Sequence, residues 1–235
     1  MEGTISEEVK REVVDWSSEE LKGEFDVIAS FYQLKLGDKT YQCRNHALII
    51  RKGYANQKSP EFVLVMANPG SCCPQDPTYQ PPVVHGNPSN VPYVQAKHDQ
   101  TMQQLMKLMQ MKNWNIISIG NLSDLCAGNM KDFGEKLNQI GQFEYKDHSI
   151  FSDSRAIERK LVLNKDSKII IAWGKNKIIR KLASEALCKL PKEKQILGLR
   201  YTNPSWGYRH PYPMIPGRCK EWLEDMCNQI NGFDS

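Results

Sequence analysis

The sequence predicts an α/β fold built on a mostly parallel sheet. Three observations carry that expectation. Four short runs, at 61–66 (EFVLVM), 115–120 (NIISIG), 168–172 (KIIIA) and 195–201 (QILGLRY), are apolar without a clean in–out alternation, as strands covered on both faces are. Segments with apolar residues at helical spacing separate these runs. Each run also ends in a polar cluster, with Asn68, Asn121, Gly174 and Asn203 standing just beyond the apolar residues.

In chain order, residues 4–22 read as one or two short helices, with Ser6 as a cap and Val9 and Val13 on one face. Residues 25–51 change texture to two long alternating runs around Gly37-Asp38, which reads as a β-hairpin. Residues 72–96 hold six prolines and a single charged residue, Asp76. Loops of that length in compact domains are functional or disordered. Residues 97–112 place Met102, Leu105, Met106 and Met109 on one helical stripe. Residues 128–150 are polar and show no clear period. A helix near 154–164 sets Ile157 and Leu161 together, and one at 176–190 aligns Ile179, Leu182, Ala183, Ala186, Leu187 and Leu190. A last helix, 217–230, buries Trp222, Leu223, Met226 and Ile230. No repeat and no linker divides the chain. The expectation is a single domain over 1–235, with residues 1–55 as an N-terminal helix-and-hairpin embellishment on a 60–230 core.

Composition narrows the function classes. With 235 residues, 40% hydrophobic and 25% charged, the chain has the make-up of an ordinary globular protein. No apolar run approaches the ~18 residues of a membrane span, and the acidic start lacks the apolar core of a signal peptide. Seven cysteines, without a CxxC pair, match neither a disulfide framework nor a zinc site. A reduced, cytoplasmic monomer without metal or cofactor is expected. The net charge of +4 is unevenly spread: residues 1–26 carry nine acids and three bases, residues 168–200 nine bases and two acids. Lys175, Lys177, Arg180 and Lys181 form a phosphate footprint or a solvated helix face.

In a parallel sheet the carboxyl ends of the strands share one rim, and ligands bind there. That rim would gather Asn68-Pro69-Gly70-Ser71 with Asp76 and Tyr79, then Asn121, then Trp173-Gly174-Lys175-Asn176, then Asn203-Pro204-Ser205 with residues 206–211. Phosphate-binding glycine loops, metal clusters and nucleophile elbows are all missing from the sequence. Amides, a loop aspartate, a histidine and aromatics remain. A carboxamide both donates and accepts, which suits the edge of a nucleobase, and aromatics suit its face.

These segments resemble the uracil-DNA glycosylase superfamily, nearest its mismatch-specific thymine/uracil branch, over residues 60–212. The carriers are VLVMANPGS, SIGNL, IIIAWG and ILGLRYTNPSWGYRHP. They also resemble an uncharacterised bacterial and phage family whose signature runs Asn-Pro-Ser, Asp-Pro-Thr, Asn-Leu, Trp-Gly and His-Pro; here those are Asn68-Pro69-Gly70, Asp76-Pro77-Thr78, Asn121-Leu122, Trp173-Gly174 and His210-Pro211. The superfamily resemblance implies a three-layer α/β/α fold on a four-stranded sheet, DNA as partner, and excision of a flipped base without a cofactor. It gives Asn68, Asp76 and His210 catalytic roles. Asn68 holds the water, Asp76 acts as base or balances the cationic sugar, and His210 or the Asn203 side stabilises the departing base. Gly70, Tyr79, Asn121 and Asn203 would bind the base. Ser71, Lys175, Lys177, Ser205, Trp206, Tyr208 and Arg209 would contact DNA, the 206–209 loop as a wedge. The four-cysteine spacing of the iron–sulfur branches is absent. Uracil-specific members carry a Tyr where Gly70 stands, so the expected target is a 5-substituted or hypermodified pyrimidine, as in phage DNA, with an anti-phage role. Uracil or thymine mismatch repair, a small-molecule nucleoside N-glycosidase and a catalytically silent DNA-binding protein are the alternatives.

Overall fold

The computed structural model of the chain describes residues 16–54, 59–88, 90–163, 167–192 and 196–234. The helix expected behind the Ser6 cap lies outside them. The described chain starts with α1 (Ser18–Glu24). Ser17 and Glu20 close a capping box there, each side chain accepting from the other's backbone N–H. The hairpin follows as β1 (Phe25–Leu36) and β2 (Lys39–Arg51), paired antiparallel.

The four expected strands form as β3 (Phe62–Met66), β6 (Ile116–Asn121), β7 (Lys168–Ile171) and β8 (Ile196–Leu197). They are mutually parallel in the spatial order β6-β3-β7-β8. All five residues of β3 are buried. Phe62, Leu64 and Met66 enter one core cluster, Val63 and Val65 the other. Full burial of such a side chain is worth about 1.5–3 kcal/mol, which is why a five-residue strand holds the centre of the sheet. The first cluster is closed by α1, α2 (Gln100–Lys112) and α6 (Pro216–Asp234). The second is closed by α3 (Met130–Gly141) and α5 (Arg180–Lys189). Helices therefore cover both faces of the sheet.

The sheet is larger than the four strands expected. β2 pairs antiparallel with β6, so the hairpin extends the central sheet instead of sitting apart from it. The proline-rich segment adds β4 (Val83–Val84) and β5 (Tyr93–Gln95) along the free edge of β1, giving eight strands. Their two- and three-residue lengths escape any periodicity test.

Other boundaries also moved. The aperiodic 128–150 stretch contains α3, started by Asn129, whose side chain accepts from Asp132 N. Only Phe133 and Ile140 of α3 are buried, too few to make a pattern. Ile157 and Leu161 share α4 (Ala156–Val162) but stand 79% and 74% exposed. The strand expected through Tyr201 stops at Leu197. Gly198 follows at φ +149°, where a Cβ would sit 2.7 Å from the Ile171 carbonyl oxygen.

A buried ionic cluster ties the hairpin to the loop after β6. Arg155, just ahead of α4, donates to Asp124 at 2.6 Å, to Asn45 at 2.5 Å and to both carboxylate oxygens of Glu158. The Tyr32 hydroxyl donates to Asp124 at 2.9 Å. Burial pushes the Asp124 carboxyl up, to about 7, against the pull of Arg155. No described helix is long and apolar enough to cross a membrane.

Candidate functional site

A cleft of about 570 Å³ opens at the carboxyl ends of β3, β6 and β7, a size suited to a small ligand or one nucleotide base. Three structural facts put it there. β3 runs into Ala67-Asn68-Pro69-Gly70-Ser71, β7 runs into Trp173-Gly174-Lys175-Asn176, and both segments line it. The loop after β6 returns as Ala127-Gly128-Asn129 to form a third wall. Asp99 and Asn129, the N-caps of α2 and α3, also line it, so the first turns of both helices open on the cleft. Helix starts favour negative charge. The floor is apolar where Met66, Met102, Leu105 and Ile119 meet.

Asn68 is held in place at two points. Its Nδ2 donates to the Ala127 carbonyl at 2.9 Å. Its own backbone carbonyl accepts from the Asn121 amide nitrogen at 3.1 Å when that amide is oriented to satisfy both of its neighbours. In the same orientation the Asn121 oxygen accepts from Arg44 Nη2 at 3.2 Å. Asn121 is fully buried beneath the cleft and does not line it. Its amide orients Asn68 and Arg44, and its edge is not offered to a ligand.

Gly70 lines the cleft at φ +67°, a conformation glycine adopts without strain. A Cβ there would lie 3.3 Å from Asp99 Oδ2, so the space Gly70 leaves is taken by a carboxylate. Asp99 Oδ1 accepts from Met102 N at 3.0 Å, as the α2 cap. His210 also lines the cleft, with Nδ1 3.1 Å from both the N and the O of Tyr212. Burial holds its pKa below the usual histidine value, which keeps the ring neutral near pH 7. Lys175 stands on the rim with its ammonium 4.3 Å above the Tyr201 ring. Met214 projects at the mouth, 81% exposed and at φ +64°.

Arg44 of β2 lines the cleft and is 2% exposed. It touches Asn121 and the Cys72 thiol, and its Nε has no hydrogen-bond partner. Among the described residues no carboxylate lies within ion-pair distance of Arg44, whereas the equally buried Arg155 takes both Asp124 and Glu158.

Of the residues singled out in the sequence, Asn68, Gly70, Ser71, Lys175 and His210 converge on the cleft. Others stand elsewhere. Asp76 is exposed and its Oδ1 accepts from the Thr78 backbone and hydroxyl, an Asx turn outside the cleft. Tyr79 packs on the first core cluster. Asn203 and Ser205 are exposed on a loop away from the lining, and Lys177 lies in the short 3-10 turn Lys177–Ile179. The 206–209 segment is built into the fold. Trp206 accepts through its carbonyl from the Trp173 indole at 2.8 Å, Tyr208 bridges Gly174 and Arg200, and Arg209 pairs with Asp225 at 2.5 Å and Glu221 at 3.3 Å. Arg44, Asp99, Asn129 and Met214 were not anticipated. Arg44 alone left a trace, as a charge inside an otherwise strand-like run.

A family model described as "Protein of unknown function (DUF1643)" matches residues 80–212. That span includes Asp99, Asn129, Lys175 and His210 and leaves out Arg44 and Asn68. No curated protein and no solved structure matches the chain.

Proposed function

The chain belongs to the DUF1643 family, and we propose that it hydrolyses an N-glycosyl bond, freeing a base from DNA. The observation that carries this reading is the convergence of Asn68, Asp99 and His210 on one base-sized cleft at the strand ends. In this mechanism Asn68 orients a water and Asp99 accepts its proton. The water oxygen bonds to the sugar C1′ as the C1′–N bond breaks, and the electron pair of that bond leaves with the base. Neutral His210 donates a hydrogen bond to the negative charge that grows on the departing base, as stabilisation of developing charge requires. Asp99 takes the role first given to Asp76, because its carboxylate faces the cleft.

The surroundings favour a polymeric substrate. Lys175 stands on the cleft rim, and Lys177, Arg180 and Lys181 follow it closely in sequence, a basic run that suits phosphates. Met214 is an exposed apolar side chain at the mouth, the kind that fills the gap left by an extruded base. Removal of a modified or mismatched pyrimidine is the reaction we favour. One observation favours a second reading, a nucleoside N-glycosidase: Trp206, Tyr208 and Arg209 are held within the fold and do not project as a DNA wedge.

The test is mass spectrometry of free bases after incubation with duplex and single-stranded DNA and with nucleosides. The DNA panel carries uracil, thymine mismatches, 5-hydroxymethylcytosine and glucosylated bases. Release from DNA supports the first reading, release from nucleosides alone the second, and release from neither rejects both.

A further inference from the structure

A second hollow, of about 520 Å³, lies between the end of α1, the start of β1 and the chain leading into α2. It shares no lining residue with the cleft, and the proposed reaction leaves it unused. Backbone hydrogen bonds hold its walls together. Lys52 N donates to the Glu24 carbonyl at 2.8 Å, Ala96 N to Val27 at 2.9 Å and Gln75 N to Gln95 at 2.8 Å. Phe25, Val27 and Ala96 are buried and make an apolar floor. Above it, Lys22, Lys52, Lys97 and His98 share the lining with one carboxylate, Asp26. Lys22 is matched by Glu19 at 2.7 Å. Among the described residues the Lys52 and Lys97 ammoniums have no acidic partner, and neither does the Asp26 carboxylate have a basic one. The Gln75 and Gln95 carboxamides complete the lining. Gln103 Nε2 donates to His98 Nδ1 at 3.4 Å, which leaves the imidazole proton, and so a donor, on Nε2. A lone surface lysine needs no partner, but cations gathered around one hollow raise its potential.

We propose that this hollow is a second ligand site, and that it takes a phosphate monoester that also carries hydrogen-bond donors, the chemistry of a mononucleotide. The inference does not rest on the reaction assigned to the cleft. Lys52 and Lys97 suit the phosphate as point charges, and His98 Nε2 can donate to it. A simple anion is the poorer match, because Asp26 repels it. Asp26 and the two carboxamide oxygens instead accept from amino and hydroxyl groups. The volume is that of a small-ligand site. A free nucleotide and the phosphorylated end of a nucleic-acid strand offer the same phosphate and the same donors.

The experiment is calorimetric titration of the full chain at neutral pH with 2′-deoxycytidine 5′-monophosphate, 2′-deoxycytidine and inorganic phosphate, repeated with the double variant Lys52→Gln, Lys97→Gln and with Asp26→Asn. The wild-type protein is expected to bind the nucleotide at least ~10-fold more tightly than the nucleoside, which lacks the charge, or phosphate, which lacks the donors. The double variant is expected to lose ~10-fold or more in nucleotide affinity and to melt with the wild type, since both lysines are exposed. Asp26→Asn is expected to tighten phosphate binding, because a repelling charge has gone. No nucleotide binding by the wild type overturns the site. Nucleotide affinity unchanged in the double variant places the ligand elsewhere and also overturns it. A nucleoside bound as tightly as the nucleotide overturns the phosphate, and phosphate bound as tightly overturns the donors. Competition with a 5′-phosphorylated oligonucleotide and its 5′-hydroxyl form separates the sources. Displacement of the nucleotide by the first alone assigns a strand end, displacement by neither assigns a free nucleotide, and displacement by both overturns the monoester. Base release from DNA, present or absent, leaves each of these outcomes readable.

Discussion

The side-chain amide of Asn121 spans 3.1 Å to the backbone carbonyl of Asn68, cross-linking the ends of neighbouring parallel strands. Asn68 is thereby clamped from below while its own amide donates to Ala127. The residue that would orient a water is fixed by a residue no ligand touches. Asn121→Leu removes that clamp and leaves the Asn68 carbonyl and Arg44 Nη2 unsatisfied. The expected cost is about 2–4 kcal/mol in urea unfolding, from two buried groups losing their partners. A change under about 0.5 kcal/mol would mean the clamp does not hold the site.

Under the proposed reaction, Met214 should separate duplex from single-stranded substrates. Its side chain is exposed at the mouth of the cleft, and an apolar wedge is needed only where a stacked base must be displaced. Met214→Ala is expected to slow base release from duplex DNA by about tenfold or more, since unstacking costs a few kcal/mol, and to leave single-stranded DNA nearly unaffected. Parallel initial-rate measurements on the two substrates check this. Equal losses on both would assign Met214 to the cleft wall instead.

Acid should unfold the protein through two buried histidines. His46 sits between the Ser118 and Tyr93 hydroxyls, and His148 against the Ser123 hydroxyl. Burial lowers both pKa values from 6.5 to about 4. Between those values the unfolded chain binds protons that the folded chain excludes, so stability falls as pH drops from 6.5 towards 4 and is complete above 6.5. Each histidine contributes about 3 kcal/mol across that window. Asp124, whose carboxyl is pushed up in the folded chain, takes up a proton over the same range and opposes part of this decline. Unfolding free energies measured from pH 7 to pH 4 for the wild type and His46→Gln isolate the histidine contribution, and the variant should lose less stability on acidification.

The Arg155 cluster predicts an asymmetric mutant pair. Arg155→Met strands Asp124 and Glu158 and should destabilise by about 3–5 kcal/mol. Pairing it with Asp124→Leu should recover most of that loss, because both buried charges then leave together. Thermal or urea unfolding of the two variants tests this, and a double variant less stable than the single one would contradict it.

The sequence carried the parallel core well because β3, β6 and β7 are buried on both faces and their apolar runs say so directly. The rim followed from the same reading, since Asn68, Gly70, Ser71 and Lys175 come immediately after those strands. The rest depended on contacts between distant segments. Asp99 precedes a methionine-rich helix and reads only as its cap until the fold brings it beside Gly70. Arg44 lies in the hairpin, which enters the site only because β2 pairs with β6. Asp76 satisfies a local Asx turn, and nothing in its neighbours shows that the carboxylate is already used. The 206–209 loop has the residues of a DNA wedge, but Arg209 finds its acids on α6, at Glu221 and Asp225.

The most direct test compares the wild-type protein with Asn68→Ala on the DNA that the wild type processes, reading free base by mass spectrometry and DNA affinity in parallel. The account predicts base release by the wild type, a loss of ~100-fold or more in Asn68→Ala as expected for a group that positions the attacking water, and DNA affinity within about 3-fold of the wild type, since no phosphate contact changes. Equal release by both proteins, or no free base from any DNA with the wild type, would contradict it.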